Sequence, residues 1–353
     1  MIPQLRAILL LLFLAAHYCG AVPGSSNAAA AADAPQSDVH AAFRNPSGNV
    51  ETLRFTLDGH TFPSGGHVQG IQLQPNSQHG QQHLILSHDS NTAAYLVMAA
   101  IAADDPANSA GNNRVVHVQM LPSDGQQPPL RHAGGIQRVG DLLAVGVEDN
   151  QDKLRSEVQF WNIADPTKPT QQSHLTIHRR SERPKEMTAG AVGIVERDND
   201  FLVVVANWDS RNIDFYQSTR KQLDDPNCRF QHTARWNAPL TASRPGKSAG
   251  SYQAIQLLTD ENDKSSGNGP KPPPQLYLLG FETTVANKDI VDLYAVDLAY
   301  SKVDLRWLDQ REVKFSGDQH FRFGGGATVD GSRWELVATP SHLTPQTTIS
   351  LTK

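Results

Sequence analysis

The sequence predicts an all-β repeat fold: a five-bladed β-propeller with four-stranded blades and a ring closed by an N-terminal strand. Three observations predict it. Apolar residues alternate in short runs with no long helical period, a phrase of small residues recurs five times, and a spare strand stands before the first repeat.

The alternating runs are broken by Gly, Asn, Asp and Pro, the pattern of strands joined as hairpins. The recurring phrases are His67-Val-Gln-Gly-Ile-Gln-Leu, His132-Ala-Gly-Gly-Ile-Gln-Arg, Thr188-Ala-Gly-Ala-Val-Gly-Ile, Ser251-Tyr-Gln-Ala-Ile-Gln-Leu and Arg322-Phe-Gly-Gly-Gly-Ala-Thr. Their starts are 65, 56, 63 and 71 residues apart. A second apolar strand follows each phrase, at 83–88, 142–147, 201–206, 276–281 and 334–339. A third is predicted at 94–101, 157–163, 212–217, 290–298 and 347–351. Four units show a fourth, at 114–121, 173–177, 230–236 and 303–308. The fifth unit ends after three strands, and the strictly alternating Glu51-Thr-Leu-Arg-Phe-Thr-Leu can supply its fourth. Such closure pairs edges that an open array leaves bare. Small residues in the phrases suit inner strands crowded around an axis.

The chain has 353 residues and a formal net charge of −5. Residues 1–21 have one basic residue, Arg6, and the apolar run 7–16, too short to span a bilayer and suited to a signal peptide. Cleavage is expected after Ala21. Lipidation at Cys19 would need small residues where His17 and Tyr18 stand. Residues 22–47 lack a hydrophobic period and read as a flexible spacer, leaving 48–353 as one propeller. The expected location is therefore secreted or periplasmic. With Cys19 removed, Cys228 has no disulfide partner. The mild acidic balance and absence of a second apolar span argue against nucleic acid and against a membrane span in the mature chain.

The segment Glu157-Val-Gln-Phe-Trp-Asn-Ile-Ala-Asp-Pro-Thr-Lys-Pro resembles the third strand and exit turn of LVIVD-type propeller repeats, with a fainter echo in Tyr294-Ala-Val-Asp-Leu. The resemblance implies a secreted binding scaffold. Five-bladed propellers also include glycosidases such as arabinanases and levansucrases. Those place acidic residues on inner strands, and none of the five phrases here begins with Asp or Glu.

In a four-stranded meander the start of the first strand and the end of the second share one face. That face should collect His67, His132, Thr188, Ser251 and Arg322 from the phrases. From the second-strand ends it should collect His88, Asp89, Glu148, Asp149, Asn207, Asp209, Glu282 and His342. Such a ring of ionisable groups can bind a polar or anionic small molecule or glycan. Asp and Asn also serve turns for backbone reasons alone.

His67 and His132 can ligate a divalent metal, with Glu148 or Asp89 completing the shell, although no linear motif such as His-Glu-x-x-His is present. Alternatively one His is a general base and Arg322 holds an anionic group, as in a hydrolase or a lyase acting on an acidic sugar. In a third arrangement Trp208 and Tyr252 are stacking platforms for simple ligand capture. No Gly-x-Ser-x-Gly elbow exists. His79, His83 and His88 should not share one end of their strand. The basic run 178–185 reads as a solvated loop, and 260–274 as a long hairpin on the opposite face. Binder and enzyme both expect His67, His132 and Arg322 to converge on an opening; a protein-interaction scaffold expects them to pair off internally.

Overall fold

A computed structural model describes residues 38–44, 50–74, 81–102, 113–238, 250–260, 274–299, 302–315, 317–330 and 333–352. The signal-peptide reading of 1–21 lies outside these residues. So do 22–37 and 45–47 of the stretch read as spacer, and most of the 260–274 hairpin.

The described chain is all-β apart from one short α-helix and two turns of 3-10 helix. β1 (Val50–Thr56), β2 (Val68–Gln74), β3 (Gln82–His88), β4 (Tyr95–Ile101) and β5 (Arg114–Met120) come first. β6 (His132–Val139), β7 (Leu142–Glu148), β8 (Arg155–Asn162), the two-residue β9 (Thr170–Gln171) and β10 (Ile177–Arg180) follow. Then come β11 (Ala191–Glu196), β12 (Phe201–Ala206), β13 (Asn212–Ser218) and β14 (Phe230–Asn237). The remainder are β15 (Ala254–Thr259), β16 (Leu276–Thr283), β17 (Asp289–Ala299), β18 (Lys302–Val313), β19 (His320–Asp330), β20 (Arg333–Thr339) and β21 (Gln346–Thr352).

Two four-stranded sheets run β11-β12-β13-β14 and β15-β16-β17-β18, and a third runs β10-β8-β7-β6 with β9 beside β8. The eight-stranded sheet runs β19-β20-β21-β1-β5-β4-β3-β2. At its middle, β1 and β5 meet in parallel through the single pair Thr56↔Arg114. The spare strand expected from the sequence does pair with the last one: β1 lies antiparallel to β21 from Val50↔Thr352 to Thr56↔Gln346.

The strands carrying the five phrases, β2, β6, β11, β15 and β19, pack on one another. Gly134 shows why small residues recur there: a Cβ on it would lie 2.5 Å from the carbonyl oxygen of Gly190. Gly134→Ala is expected to cost about 1–3 kcal/mol, read as a lower urea midpoint with unchanged slope. Buried glutamines tie these strands together. Gln137 Oε1 accepts from the backbone N–H groups of Ile194 and Leu257, both at 2.8 Å. Gln256 donates to Gln72 at 3.0 Å and accepts from Ala327 N–H at 2.8 Å. The Ile-Gln pair shared by three phrases is thus a device for pairing backbone groups that no sheet neighbour reaches.

Apolar clusters fill the spaces between successive strand groups. One joins β2–β5 to β6–β8 through residues such as Met98 and Val145, and another joins β6–β10 to β11–β13 through Phe160 and Val203. Phe215 and Leu278 lie in the next, Phe281 and Leu336 in the fourth, and Ile71 and Ile349 in the fifth.

Three segments differ from the sequence reading. Residues 38–44, read as spacer, form the helix α1 (Asp38–Arg44), whose Val39, Ala42 and Phe43 are buried at helical spacing. Phe43 meets Trp334 edge-to-face at 5.5 Å, and Arg44 donates to Asp309 at 2.7 Å. The strand predicted at 173–177 is instead a 3-10 turn at Ser173–Leu175, and the strand begins at Ile177. Arg179, read as part of a solvated loop, is an inward position of β10 and is buried.

Candidate functional site

Strand register explains why distant residues meet. β6 begins at His132 and β7 ends at Glu148, and the two are register partners. At the neighbouring unit Val68 pairs with His88. The irregular step between Val68 and Gly70 turns Gln69 inward, where it is buried.

The centre of the cluster is Gln69. Its amide Nε2 lies 2.8 Å from His132 Nε2 and 3.3 Å from His67 Nε2. Donating to both leaves each ring with its proton on Nδ1. The other contacts agree: His67 Nδ1 donates to Val68 O at 3.1 Å, and His132 Nδ1 stands 3.3 Å from Glu148 Oε1. The second Glu148 oxygen accepts from Ala189 N–H at 2.7 Å. Asp89 Oδ2 lies 3.8 Å from His132 Nε2, and Asp89 Oδ1 accepts from His67 N–H at 2.5 Å. His132 is thus flanked by two carboxylates, with its side chain 12% exposed and that of Glu148 1% exposed. Burial opposes charge on the ring, but Glu148 and then Asp89 outweigh it and raise the His132 pKa.

His88 behaves in the opposite way. It is buried, stacks on Tyr95 at 4.8 Å, and has only the Asp89 backbone carbonyl at Nδ1. Burial pushes it down to about 4, so it is neutral at pH 7. A positive charge on His67 or on exposed His342 would lower it further.

A chain of rings continues from this cluster. His67 lies 6.4 Å from His132 and 6.2 Å from Phe323, and Phe323 lies 6.3 Å from His320. His320 Nδ1 contacts buried Asp289 at 2.9 Å. Arg322 is exposed, donates to Asn287 at 2.7 Å and lies over Phe323. It therefore reaches the His67 group through Phe323 rather than by direct contact.

The other expected residues divide. Asn207 is buried and bonds Lys185 O and Asn212 N–H, a role in shaping its turn. Asp149 caps its loop by accepting from Gln151 and Asp152 N–H. Asp209 accepts from Ser251 at 2.9 Å, joining two loops, and Thr188 Oγ1 accepts from Trp208 N–H at 2.7 Å. Tyr252 is no platform: it is buried against Gly280, and its hydroxyl donates to Asp292 beside the Tyr294 hydroxyl. Glu282 stands next to it, with Oε2 near Gly250. The Trp208 ring is already covered by Lys153 and Lys185.

Sequence reasoning missed Gln69, Asp289, His320, Phe323, Lys153 and Lys185. Gln69 sits inside the first phrase, so its position was visible, but the bulge that turns it inward was not. Among the described residues no three His, Cys, Asp or Glu side chains are grouped to hold a metal. The two imidazoles put forward as ligands share the Gln69 amide instead. At the opposite end of the strands, a groove of about 560 Å³ is lined by Arg197, Asp200, Gln217, Gln275 and Asp297 among others. Its Asp200 is held by Arg197 and Gln217. No helix among the described residues is long and apolar enough to cross a membrane.

No family model matches the chain, so the LVIVD-type resemblance rests on residues 157–169 and their echo alone. No curated protein matches it. Among solved structures it is similar to the catalytic domain of a GH62 α-L-arabinofuranosidase from Coprinopsis cinerea, with 12% identity, a TM-score of 0.46, and 87% of this chain and 98% of that one covered. It is similar also to CoXyl43, a GH43 β-xylosidase/α-arabinofuranosidase from a compost microbial metagenome, with 9% identity, a TM-score of 0.43, and coverage of 83% and 93%. A GH93 α-L-arabinofuranosidase of Fusarium graminearum is similar at 7% identity and a TM-score of 0.39, with 86% and 97% covered. The likeness lies in the course of the chain, and no residue role passes across it.

Proposed function

We propose that this chain is a secreted, five-bladed propeller that binds a polar, hydroxyl-rich ligand of the glycan class where His67, Gln69, Asp89 and His132 meet. Reading the eight-stranded sheet as two blades joined at Thr56↔Arg114 gives five groups of four main strands. The five apolar clusters then fall between successive blades and close a ring. Residues 1–21 direct the chain out of the cell in this reading.

One observation carries the site. His132 is half-buried and held between the buried carboxylates of Glu148 and Asp89, with the Gln69 amide on its outer nitrogen. Buried charge of this kind is costly to a fold that glycine and aliphatic residues can build alone. Its retention fits a site that exchanges hydrogen bonds, and protons, with a ligand. The same geometry favours a second reading. A buried carboxylate behind Nδ1 and a ring presenting Nε2 are the parts of a general acid–base pair, which a hydrolase or lyase needs.

Calorimetry of wild type and His132→Gln against neutral and acidic oligosaccharides tests both. Wild type is expected to bind one class, and His132→Gln to weaken it about a hundredfold, the usual loss for a buried charged partner. Chromatography of the same mixtures reads the chemistry. New reducing ends mean hydrolysis, absorbing unsaturated ends mean elimination, and unchanged ligand means binding alone. Equal affinity in the variant, or no binding by wild type, overturns the proposal.

A further inference from the structure

Three loops meet beside His132: the one after β7, the one before β11, and the 3-10 turn Trp208–Ser210 after β12. Lys153 comes from the first and Lys185 from the second. Both send their ammonium groups to the same indole, with Lys153 Nζ 4.0 Å and Lys185 Nζ 5.3 Å from the Trp208 ring centroid. Hydrogen bonds fix the arrangement. Lys185 N–H donates to Lys153 O at 2.8 Å, Asn207 Nδ2 donates to Lys185 O at 2.9 Å, and Trp208 N–H donates to Thr188 Oγ1 at 2.7 Å.

Two features of this cluster are unfavourable in isolation. Lys153 and Lys185 have φ of 59° and 70°, and Asp209 and Ser210 in the Trp208 turn have 58° and 51°. All four are non-glycine residues in the left-handed region, where a Cβ is crowded. The two ammonium groups also repel each other while sharing one ring, and among the described residues neither forms an ion pair. The indole face offsets part of that repulsion, but an aromatic ring is a weaker partner for two cations than an anion is. The cluster borders the His132 site, since Trp208 N–H donates to Thr188 and the next residue, Ala189, donates to the Glu148 that flanks His132.

We infer that Lys153, Lys185 and Trp208 form an oxyanion subsite, so that the ligand is a glycan carrying a carboxylate or a sulfate. This deepens the proposed function and rests on it for the neighbouring saccharide site. The anion would meet the two ammonium groups beside the Trp208 ring that both of them contact. Lysine suits this role because its compact charge can shift from ring to ligand without a fixed fork geometry.

The test uses the full mature chain and three probes of equal length: an oligogalacturonate, a sulfated oligosaccharide and a neutral oligosaccharide. Affinities are measured by calorimetry for wild type, Lys153→Gln/Lys185→Gln and His132→Gln. The lysine double variant is expected to lose about tenfold or more for the anionic probe that wild type prefers, and to keep the neutral probe within about twofold. Its affinity should also depend less on salt. Preference for the galacturonate assigns a carboxylate, and preference for the sulfated probe assigns a sulfate. Lys153→Gly/Lys185→Gly suits the positive φ angles and preserves the fold, so it should reproduce the selective loss. Equal losses for neutral and anionic probes, or unchanged anionic binding, overturn the inference. If His132→Gln leaves anionic binding intact while the lysine variants abolish it, the saccharide site falls and the anion subsite stands.

Discussion

Asp214→Ala is expected to destabilise the chain by about 3–5 kcal/mol, the cost of leaving a buried cation without its anion. Asp214 lies on β13 and Arg179 on β10 of the adjoining sheet, and both side chains are fully buried. They contact at 3.0 Å, and Asp214 also accepts from Arg235 at 2.6 Å and pairs with His232 at 2.9 Å. Arg179 donates in addition to Tyr216 Oη at 2.7 Å and Thr188 O at 3.1 Å. With the carboxylate gone, those neutral acceptors remain, but the charge is uncompensated. Urea unfolding checks this as a lowered midpoint. Burial tends to raise the Asp214 pKa, but Arg235 and Arg179 outweigh burial and lower it. A depressed carboxyl contributes stability above its unfolded value of about 3.9 and loses it as pH falls through the folded value. Wild type should therefore weaken in acid through this group, and Asp214→Ala should lack that part of the pH dependence. A double change to matched apolar residues, Arg179→Met/Asp214→Leu, should restore much of the loss.

Glu148→Ala is expected to cost about 2–3 kcal/mol, because it strands the buried Ala189 N–H and removes the His132 partner. Glu148→Gln is the informative variant, since its amide oxygen can still accept from Ala189 N–H. In wild type the His132 pKa is raised. A raised histidine contributes stability that is fully present below its unfolded value of about 6.5 and is lost as pH rises through the folded value. In Glu148→Gln burial dominates, the pKa drops, and that portion of the stability–pH curve flattens. An NMR titration of the His132 ring beside thermal midpoints from pH 5 to 9 checks both halves. A His132 pKa unchanged by Glu148→Gln would remove the electrostatic role given to the pair. Protonation also places a hydrogen on His132 Nε2, so Gln69 must turn its oxygen toward the ring. Ligand affinity is expected to follow the same titration.

Several site residues were legible because strand register is a local matter. His132 opens one strand and Glu148 ends the next, so a short hairpin places them side by side. The same reasoning brought Asp89 beside His67. It worked less well for Arg322, because β19 begins at His320 and is irregular between His320 and Gly325. Tyr252 failed as a platform because the adjoining Gly250 and Gly280 give its ring room to pack inward. Arg179 was misplaced because a basic run suggests solvent. The strand's alternation points that arginine inward, and only Asp214 on another sheet makes the position tolerable.

By itself the sequence determined the all-β class, most of the strands, the small residues on the strands that carry the five phrases and the pairing of the first strand with the last. These follow from periodicity, chain connectivity and the need to cover sheet edges, which are properties of neighbouring residues and repeat spacing. The tertiary structure alone decided that α1 docks through Phe43, that Gln69 bridges two histidines, that Arg179 is neutralised by Asp214, and that two lysines share Trp208. Each of these joins side chains from separate strand groups or from separate loops. Their meeting depends on how the sheets pack against one another and on bulges of one residue. No hydrophobic period encodes either, because a period describes which face of a strand is buried and not which distant charge it will face.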